Sequence, residues 1–203
     1  SWLGRPVTAP FVYACGDCRV CAAGDGQVCP RQEQPGFTLP GSFAQFVVVT
    51  SAATNLVGLP AGLSPIVAAG LGCRVATAYR GIVGRARVSP GEWVAVFGCG
   101  GVGLSAVAVA RSREARVVAV DPNPLALKAA RKLGAEAVVT SGEHAVDEVV
   151  EVTGGGAHVA LDAFGSATTC RDSVLTLRRR GRQVQIGLLG DATTAEVPIT
   201  RVI

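Results

Sequence analysis

The chain has 203 residues, 49% hydrophobic and 17% charged, with a formal net charge of +4. That composition excludes a disordered chain, and no apolar run reaches the roughly 18 residues that cross a bilayer. No leader-like segment opens it, so the expectation is a soluble, cytoplasmic protein of one large domain or two small ones. The densest basic run, Arg178-Arg179-Arg180 with Arg182, has no interleaved aromatic residues. It reads as the solvated C-terminal end of a helix, where the macrodipole favours cations, and not as a nucleic-acid surface.

In chain order, Val7 and Phe11-Val12-Tyr13 look like strand. Next come Cys15, Cys18, Cys21 and Cys29, spaced C-x2-C-x2-C-x7-C. Seven cysteines, an odd number with four clustered, point to metal rather than to disulfides. Four thiolates can close a tetrahedron around one zinc at ~2.3 Å per bond and leave no position for water, so such a metal would be structural. Gly16, Gly24 and Gly26 let the backbone wrap the ion. The rivals are an iron–sulfur cluster and four unrelated thiols. Ferredoxin-type runs end in C-x3-C-P; the seven-residue gap here disagrees, although Pro30 follows Cys29.

Gly36 to Gly41 is turn-rich. Ser42 to Thr50 reads as a strand from its β-branched and aromatic content, and Asn55 to Pro60 as a connection. Ser64 as N-cap and Pro65 at the first helical position start a helix that runs to Val83. Gly70 and Gly72 interrupt it, each costing about 1 kcal/mol relative to Ala; the break is expected to aim Cys73 inward. Taken alone, Cys73 reads better as a small core residue than as a ligand of a second zinc.

From Gly91 onward strands alternate with helices. The strands are Val94–Phe97, Val117–Val120, Ala137–Val139, Val159–Asp162 and Gln183–Gly187. The helices are about Val102–Ser112, Pro124–Leu133, Val146–Val152 and Ala167–Arg178. Continuous apolar strands joined by crossover helices make an α/β Rossmann fold, a doubly wound parallel sheet covered on both faces. Such a sheet usually has six strands; the chain reaches Ile203 with no sixth in evidence.

The first of these strands leads into Gly98-Cys99-Gly100-Gly101-Val102-Gly103, which fits G-x-G-x-x-G with the strand before, the helix after and an acid, Asp121, ending the next strand. The first glycine permits the turn, the second lets a pyrophosphate approach the backbone, and the third lets helix and strand pack closely. The helix N-terminus then faces the phosphates. Asp121 would accept from the adenosine ribose hydroxyls and repel a 2′-phosphate, which favours NAD over NADP. The bland alternative is a βαβ unit that binds nothing.

Together these pieces are similar to the zinc-dependent medium-chain alcohol dehydrogenase family over nearly the whole chain. The four-cysteine loop looks like its structural-zinc lobe, Gly41-Ser-Phe-Ala-Gln45 like its G-x-F-A-E stretch with Gln for Glu, and Cys73 to Tyr79 like its catalytic-zinc cysteine segment. The resemblance implies residues 1–78 as part of a GroES-like, β-rich catalytic domain and residues 79–203 as an NAD-binding domain. It implies Cys73 as a catalytic zinc ligand and Thr77 near the nicotinamide. It places Ala163, Phe164, Ile186, Gly187 and Leu188 along the cofactor, with Gly98, Gly100, Gly101, Val102, Gly103 and Asp121. The implied reaction passes a hydride between an alcohol or polyol and NAD, giving an aldehyde or ketone. A homodimer or homotetramer is expected at full length, with a small-molecule partner and neither nucleic acid nor membrane.

The family's other catalytic-zinc ligands, its Gly-His-Glu motif and its proton relay are not found within these 203 residues. The two histidines, His144 and His158, are not placed to join Cys73 and read as structural. The chain is therefore expected to be a fragment, inactive alone. The alternatives are a non-catalytic nucleotide- or zinc-binding module and a zinc-free quinone reductase of the same fold.

Overall fold

A computed structural model describes residues 1–190 and 194–202. Ile203, where the sequence reading ends, lies outside the described residues. The chain divides into two compact units, residues 1–73 and 74–203.

In the first unit, β1 (Val7–Thr8) pairs antiparallel with β2 (Val57–Gly58), Val7 facing Gly58. The cysteine loop carries the short helix α1 (Arg19–Ala22) and one 3₁₀ turn, Gly26–Val28. Asn55, at the end of α2 (Ala52–Asn55), is 2% exposed and holds the loop's entry. Its Oδ1 accepts from the Ala14 N–H at 2.9 Å, and its Nδ2 donates to the carbonyls of Ala14 and Thr50, each at 2.9 Å. Tyr13 and Glu33 close the other side by exchanging two backbone hydrogen bonds.

Two expectations fail here. Phe11–Tyr13 forms no strand; Tyr13 makes an isolated bridge to Glu33. Ser42–Thr50 is not a strand either. Its side chains stand in solvent, with Phe43, Phe46 and Val48 all strongly exposed. A strand exists only as a member of a ladder, and among the described residues no backbone pairing involves this segment. The Asn55–Pro60 connection, conversely, contains β2.

Ser64 caps α3 (Pro65–Ala69), accepting from the Ile66 N–H at 3.3 Å, with Pro65 in the first turn. The glycine interruption that follows is a widening. Leu71–Val75 is π-helical, α4 (Ala76–Tyr79) is α-helical, and Arg80–Arg85 is π-helical again. Cys73 does not turn inward; it is exposed.

The second unit is the Rossmann sheet, built from β3 (Trp93–Phe97), β4 (Arg116–Asp121), β5 (Ala137–Thr140), β6 (Ala157–Asp162) and β7 (Leu177–Gln185). The strands are parallel, in the order β5-β4-β3-β6-β7. Its helices are α5 (Gly101–Ser112), α6 (Pro124–Lys132), α7 (Ala145–Val152) and α8 (Ala167–Leu175). Every residue of β3 is buried, and alternate side chains feed opposite layers. Val94 and Val96 pack with Ile82, Ala106, Val107 and Ala130. Trp93, Ala95 and Phe97 pack with Ala145 and Val149. One layer thus takes α5, α6 and the 80–85 turn, the other α7.

The arginine run also departs from expectation. α8 stops at Leu175, and Arg178–Arg180 belong to β7. Ala157 faces Leu177 but Val159 faces Arg182, so the arginines bulge out of the ladder. Arg180 sits at φ 64 and Gly181 is wedged against Leu177. Helical continuation is cut off at Thr176, whose hydroxyl donates back to the Ser173 carbonyl at 2.9 Å.

His158 is structural: its Nδ1 accepts from the Trp93 backbone N–H at 3.0 Å. Burial, then the Arg178 charge, holds its pKa below the ordinary 6.5 against an opposing pull from Glu92. The neutral ring is the form the fold accommodates. Its contribution is complete above pH 6.5 and is lost as the pH falls below that value. Replacing His158 with Gln, which can still accept from Trp93, should flatten the fall of the urea unfolding midpoint between about pH 7 and pH 5. An unchanged slope would show that other groups carry it.

Candidate functional site: a glycine cradle and a thiol tetrad

The cradle lies where the strand order reverses, between the C-terminal ends of β3 and β6. Ligands of open parallel sheets sit at such switch points. Gly98 has φ +85, and its N–H donates to the Val120 carbonyl at 2.8 Å. A Cβ there would lie 2.8 Å from the Phe164 Cβ and 2.9 Å from its backbone N. At Gly103 a Cβ would come within 1.8 Å of the Gly98 carbonyl oxygen. Glycine at both positions is what allows turn, helix and neighbouring loop to meet. Gly100 differs: a Cβ there would meet nothing within 4 Å. Its missing side chain leaves open space in front of α5, whose N-terminus has no side-chain cap. Uncapped N–H groups at the positive end of a helix beside open space can receive an anionic group.

Asp121 closes β4 behind this turn. One carboxylate oxygen accepts from the Cys99 N–H at 2.7 Å, the other from the Asn123 N–H at 2.8 Å. Each oxygen keeps lone-pair capacity for a further donor such as a sugar hydroxyl. The Cys99 thiol is buried beneath the turn, and burial reinforced by the Asp121 charge pushes its pKa up to about 12. It is a neutral packing group.

A second carboxylate, Asp162, fixes the loop opposite. It is completely buried and accepts from four donors. Oδ1 takes the N–H groups of Phe164 at 3.0 Å and Gly165 at 2.9 Å; Oδ2 takes the Thr169 hydroxyl at 3.0 Å and Gln185 Nε2 at 2.8 Å. Four donors replace the water that a buried carboxylate would otherwise lack.

In the first unit the four cysteines of the loop converge. Cys15 Sγ lies 3.8 Å from Cys21 and 3.5 Å from Cys29, and Cys18 Sγ lies 3.4 Å from Cys21 and 3.8 Å from Cys29. A tetrahedron with ~2.3 Å bonds has edges of about 3.8 Å. The sulfurs can therefore hold one metal ion with little rearrangement, and among the described residues these four ligand atoms form the cluster. Backbone N–H groups of Cys21 and Arg31 donate to Cys18 and Cys29 at 3.4 and 3.3 Å. The Cys21 donor draws the Cys18 thiol down to about 6, whereas the Asp17 carboxylate holds Cys15 up at about 12. Asp17 is itself ion-paired to Arg31.

Comparison with known proteins decides the family. Residues 101–203 match the family described as zinc-binding dehydrogenase. The chain belongs to the zinc-binding dehydrogenases. An alcohol dehydrogenase of Geobacillus stearothermophilus is 33% identical over 97% of this chain and 57% of its own length. The solved alcohol dehydrogenase from Thermus sp. ATN1 superposes with a TM-score of 0.91 at 33% identity, over 96% of this chain and 58% of its own. A structure described as an NAD-dependent alcohol dehydrogenase gives 0.84 at 30% identity, over 98% and 58%. The chain thus spans a little over half the length of these relatives.

Within this zinc-binding dehydrogenase chain the remaining expected site residues are placed as follows. Thr77 is half-buried on α4. Ala163 continues β6, its N–H donating to the Phe97 carbonyl at 2.8 Å. Phe164 and Leu188 are exposed beside the cradle's loops, and Gly187 packs backbone to backbone on Gly165. Ile186 turns the other way, its Cδ1 over Gly81 in the sheet–helix core. Among the described residues the only cluster of metal-ligating groups is the cysteine tetrad; Cys73 gathers no companions.

Asp162 escaped the sequence reading because an acid ending an apolar strand looks like the start of a surface loop. The usable signal was its pattern, Asp162-Ala-Phe-Gly165-Ser166 followed by Thr169, an acid set before a glycine turn and a capped helix. Asp162→Asn should lower unfolding free energy by about 2–3 kcal/mol, since an amide cannot accept all four donors. A loss of unfolding free energy below a third of that, measured by urea denaturation, would refute the network's importance.

Proposed function

We propose that this chain is the cofactor-binding half, with the structural-zinc lobe, of an NAD-dependent alcohol dehydrogenase. Its residues 1–78 would form part of a GroES-like catalytic domain. The reaction exchanges a hydride between an alcohol or polyol and NAD, yielding an aldehyde or ketone. The observation that carries the reading is the empty approach at Gly100 with Asp121 tethered behind it. The relatives, alcohol dehydrogenases by description, support the reaction class, and the NAD-dependent one supports the cofactor.

When bound, the nicotinamide would carry the hydride. The chain's own part is orientation. The α5 N-terminus and the glycine backbone hold the diphosphate, and Asp121 accepts from the adenosine ribose while its charge repels a 2′-phosphate. Ala163, Phe164, Gly187 and Leu188 border the nicotinamide end, and Thr77 approaches it from α4. Ile186 contributes by packing.

The thiol tetrad would hold a structural zinc, which separates this reading from a zinc-free quinone reductase. A catalytic zinc is a different matter. Cys73 is one ligand where at least three are needed, so these residues do not fit that ion alone and no step is assigned to it.

Titration with NADH, followed by nucleotide fluorescence, should show saturable uptake at least about tenfold tighter than NADPH. Asp121→Asn should narrow that gap, because the repelling charge is gone. Absence of NADH uptake by the folded protein would overturn the reading. Metal analysis should give one zinc bound by the tetrad, lost with Cys29→Ser or by chelation. Because thiols must shed protons to bind, zinc retention should weaken as the pH is lowered toward 5.

A further inference from the structure

We propose that Arg74 is a phosphate-binding residue, adding a guanidinium to the diphosphate seat formed by Gly98–Gly103 and the start of α5. The inference rests on the dinucleotide reading of that seat.

Its basis is the position of one side chain. A Cβ built on Gly101 would lie 2.4 Å from Arg74 Cδ, 2.8 Å from Nε and 3.3 Å from Cζ. The arginine therefore lies across the first turn of α5, in contact range of Gly101. Ala78, in the turn that follows, is completely buried in the layer that contains Ala106 and Val107 of α5. This stretch therefore packs along α5, with Arg74 at the Gly101 end. The π-helical turn Leu71–Val75 lies at this spot; such widened turns are frequent at functional sites.

The electrostatics point the same way. The N-terminus of α5 already carries the positive end of its dipole. A guanidinium across it is a like-signed neighbour, and the first turn holds no acidic residue to offset it. Arg74 has neither hydrogen bond nor ion pair among the described residues, whereas Arg31, Arg116, Arg171 and Arg182 are all paired. It is exposed. Arg74 over Gly101 and the end of α5 are two positive groups one residue from the open space at Gly100, with the Asp121 carboxylate behind the turn; an anion seated there would meet both. The fork of arginine suits this role, since it can donate two parallel hydrogen bonds to a phosphate.

Binding by calorimetry tests the assignment without recourse to turnover. NADH, ADP-ribose and adenosine are titrated into the parent chain, Arg74→Gln and Arg74→Lys. Arg74→Gln should weaken NADH and ADP-ribose about tenfold or more and leave adenosine, which lacks a diphosphate, within twofold. Arg74→Lys should recover part of the loss, the charge remaining without the fork. The slope of log affinity against log salt should be shallower for Arg74→Gln than for the parent. Arg74 is exposed, so thermal midpoints should stay together; if Arg74→Gln did not fold, Arg74→Lys decides, a loss of NADH affinity supporting the inference and parent-like affinity overturning it. A parent that takes up NADH alongside an Arg74→Gln that binds it equally well would overturn the inference alone. A folded parent with no affinity for NADH would overturn the dinucleotide reading and the inference together.

Discussion

Everything in the second unit depends on one close approach of backbone to backbone. The turn after β3 runs under the first turn of α5 so tightly that a methyl at Gly103 would collide with the Gly98 carbonyl. That contact seats the helix on the sheet and sends its free N–H groups past Gly100 into open space. Neither hydrophobic burial nor helix propensity would produce it; both are satisfied by looser packings. It requires the absence of side chains at named positions, and the apolar layers on either side only hold it in place.

Two carboxylates then turn a tight loop into a shaped site. Asp121 braces the glycine turn through the Cys99 N–H, and Asp162 braces the facing loop through Phe164 and Gly165. Each sits at the end of a parallel strand, where the chain leaves the ladder and its N–H groups lose their partners. The two differ in what they leave over. Asp162 is saturated and buried, so it can only support. Asp121 retains acceptor capacity at the surface, so it can also recognise. Similar chemistry at equivalent positions is thus divided between framework and contact by burial alone.

Much of this was legible in the residues. Strands buried on both faces show as continuous apolar runs, and Val94–Phe97 and Val117–Val120 were found within one residue of their observed bounds. The cysteine spacing foretold the tetrad because four ligands so close in sequence have few other ways to lie. Ser64-Pro65 gave its helix start for the local reason that capping is local. The failures were non-local. Ser42–Thr50 has the composition of a strand, but pairing needs a neighbour, which composition cannot report. Arg178–Arg180 read as a helix end because the helix appeared to continue; the strand register set by Ala157 and Val159 claimed them instead. Asp162 and Arg74 were missed because their partners, Gln185 and Gly101, lie across the fold.

The bulge at the arginines has a consequence for phase. Ala157 faces Leu177 and Val159 faces Arg182, so five steps along β7 match two along β6. The three extra residues are an odd number, and an odd slip exchanges the two faces of a strand. Regular pairing resumes from Arg182 to Gln185 in that shifted phase. It brings Gln185 level with Asp162, whose carboxylate accepts from Gln185 Nε2. A kink at one end of β7 thereby sets which side chain reaches the loop at the other.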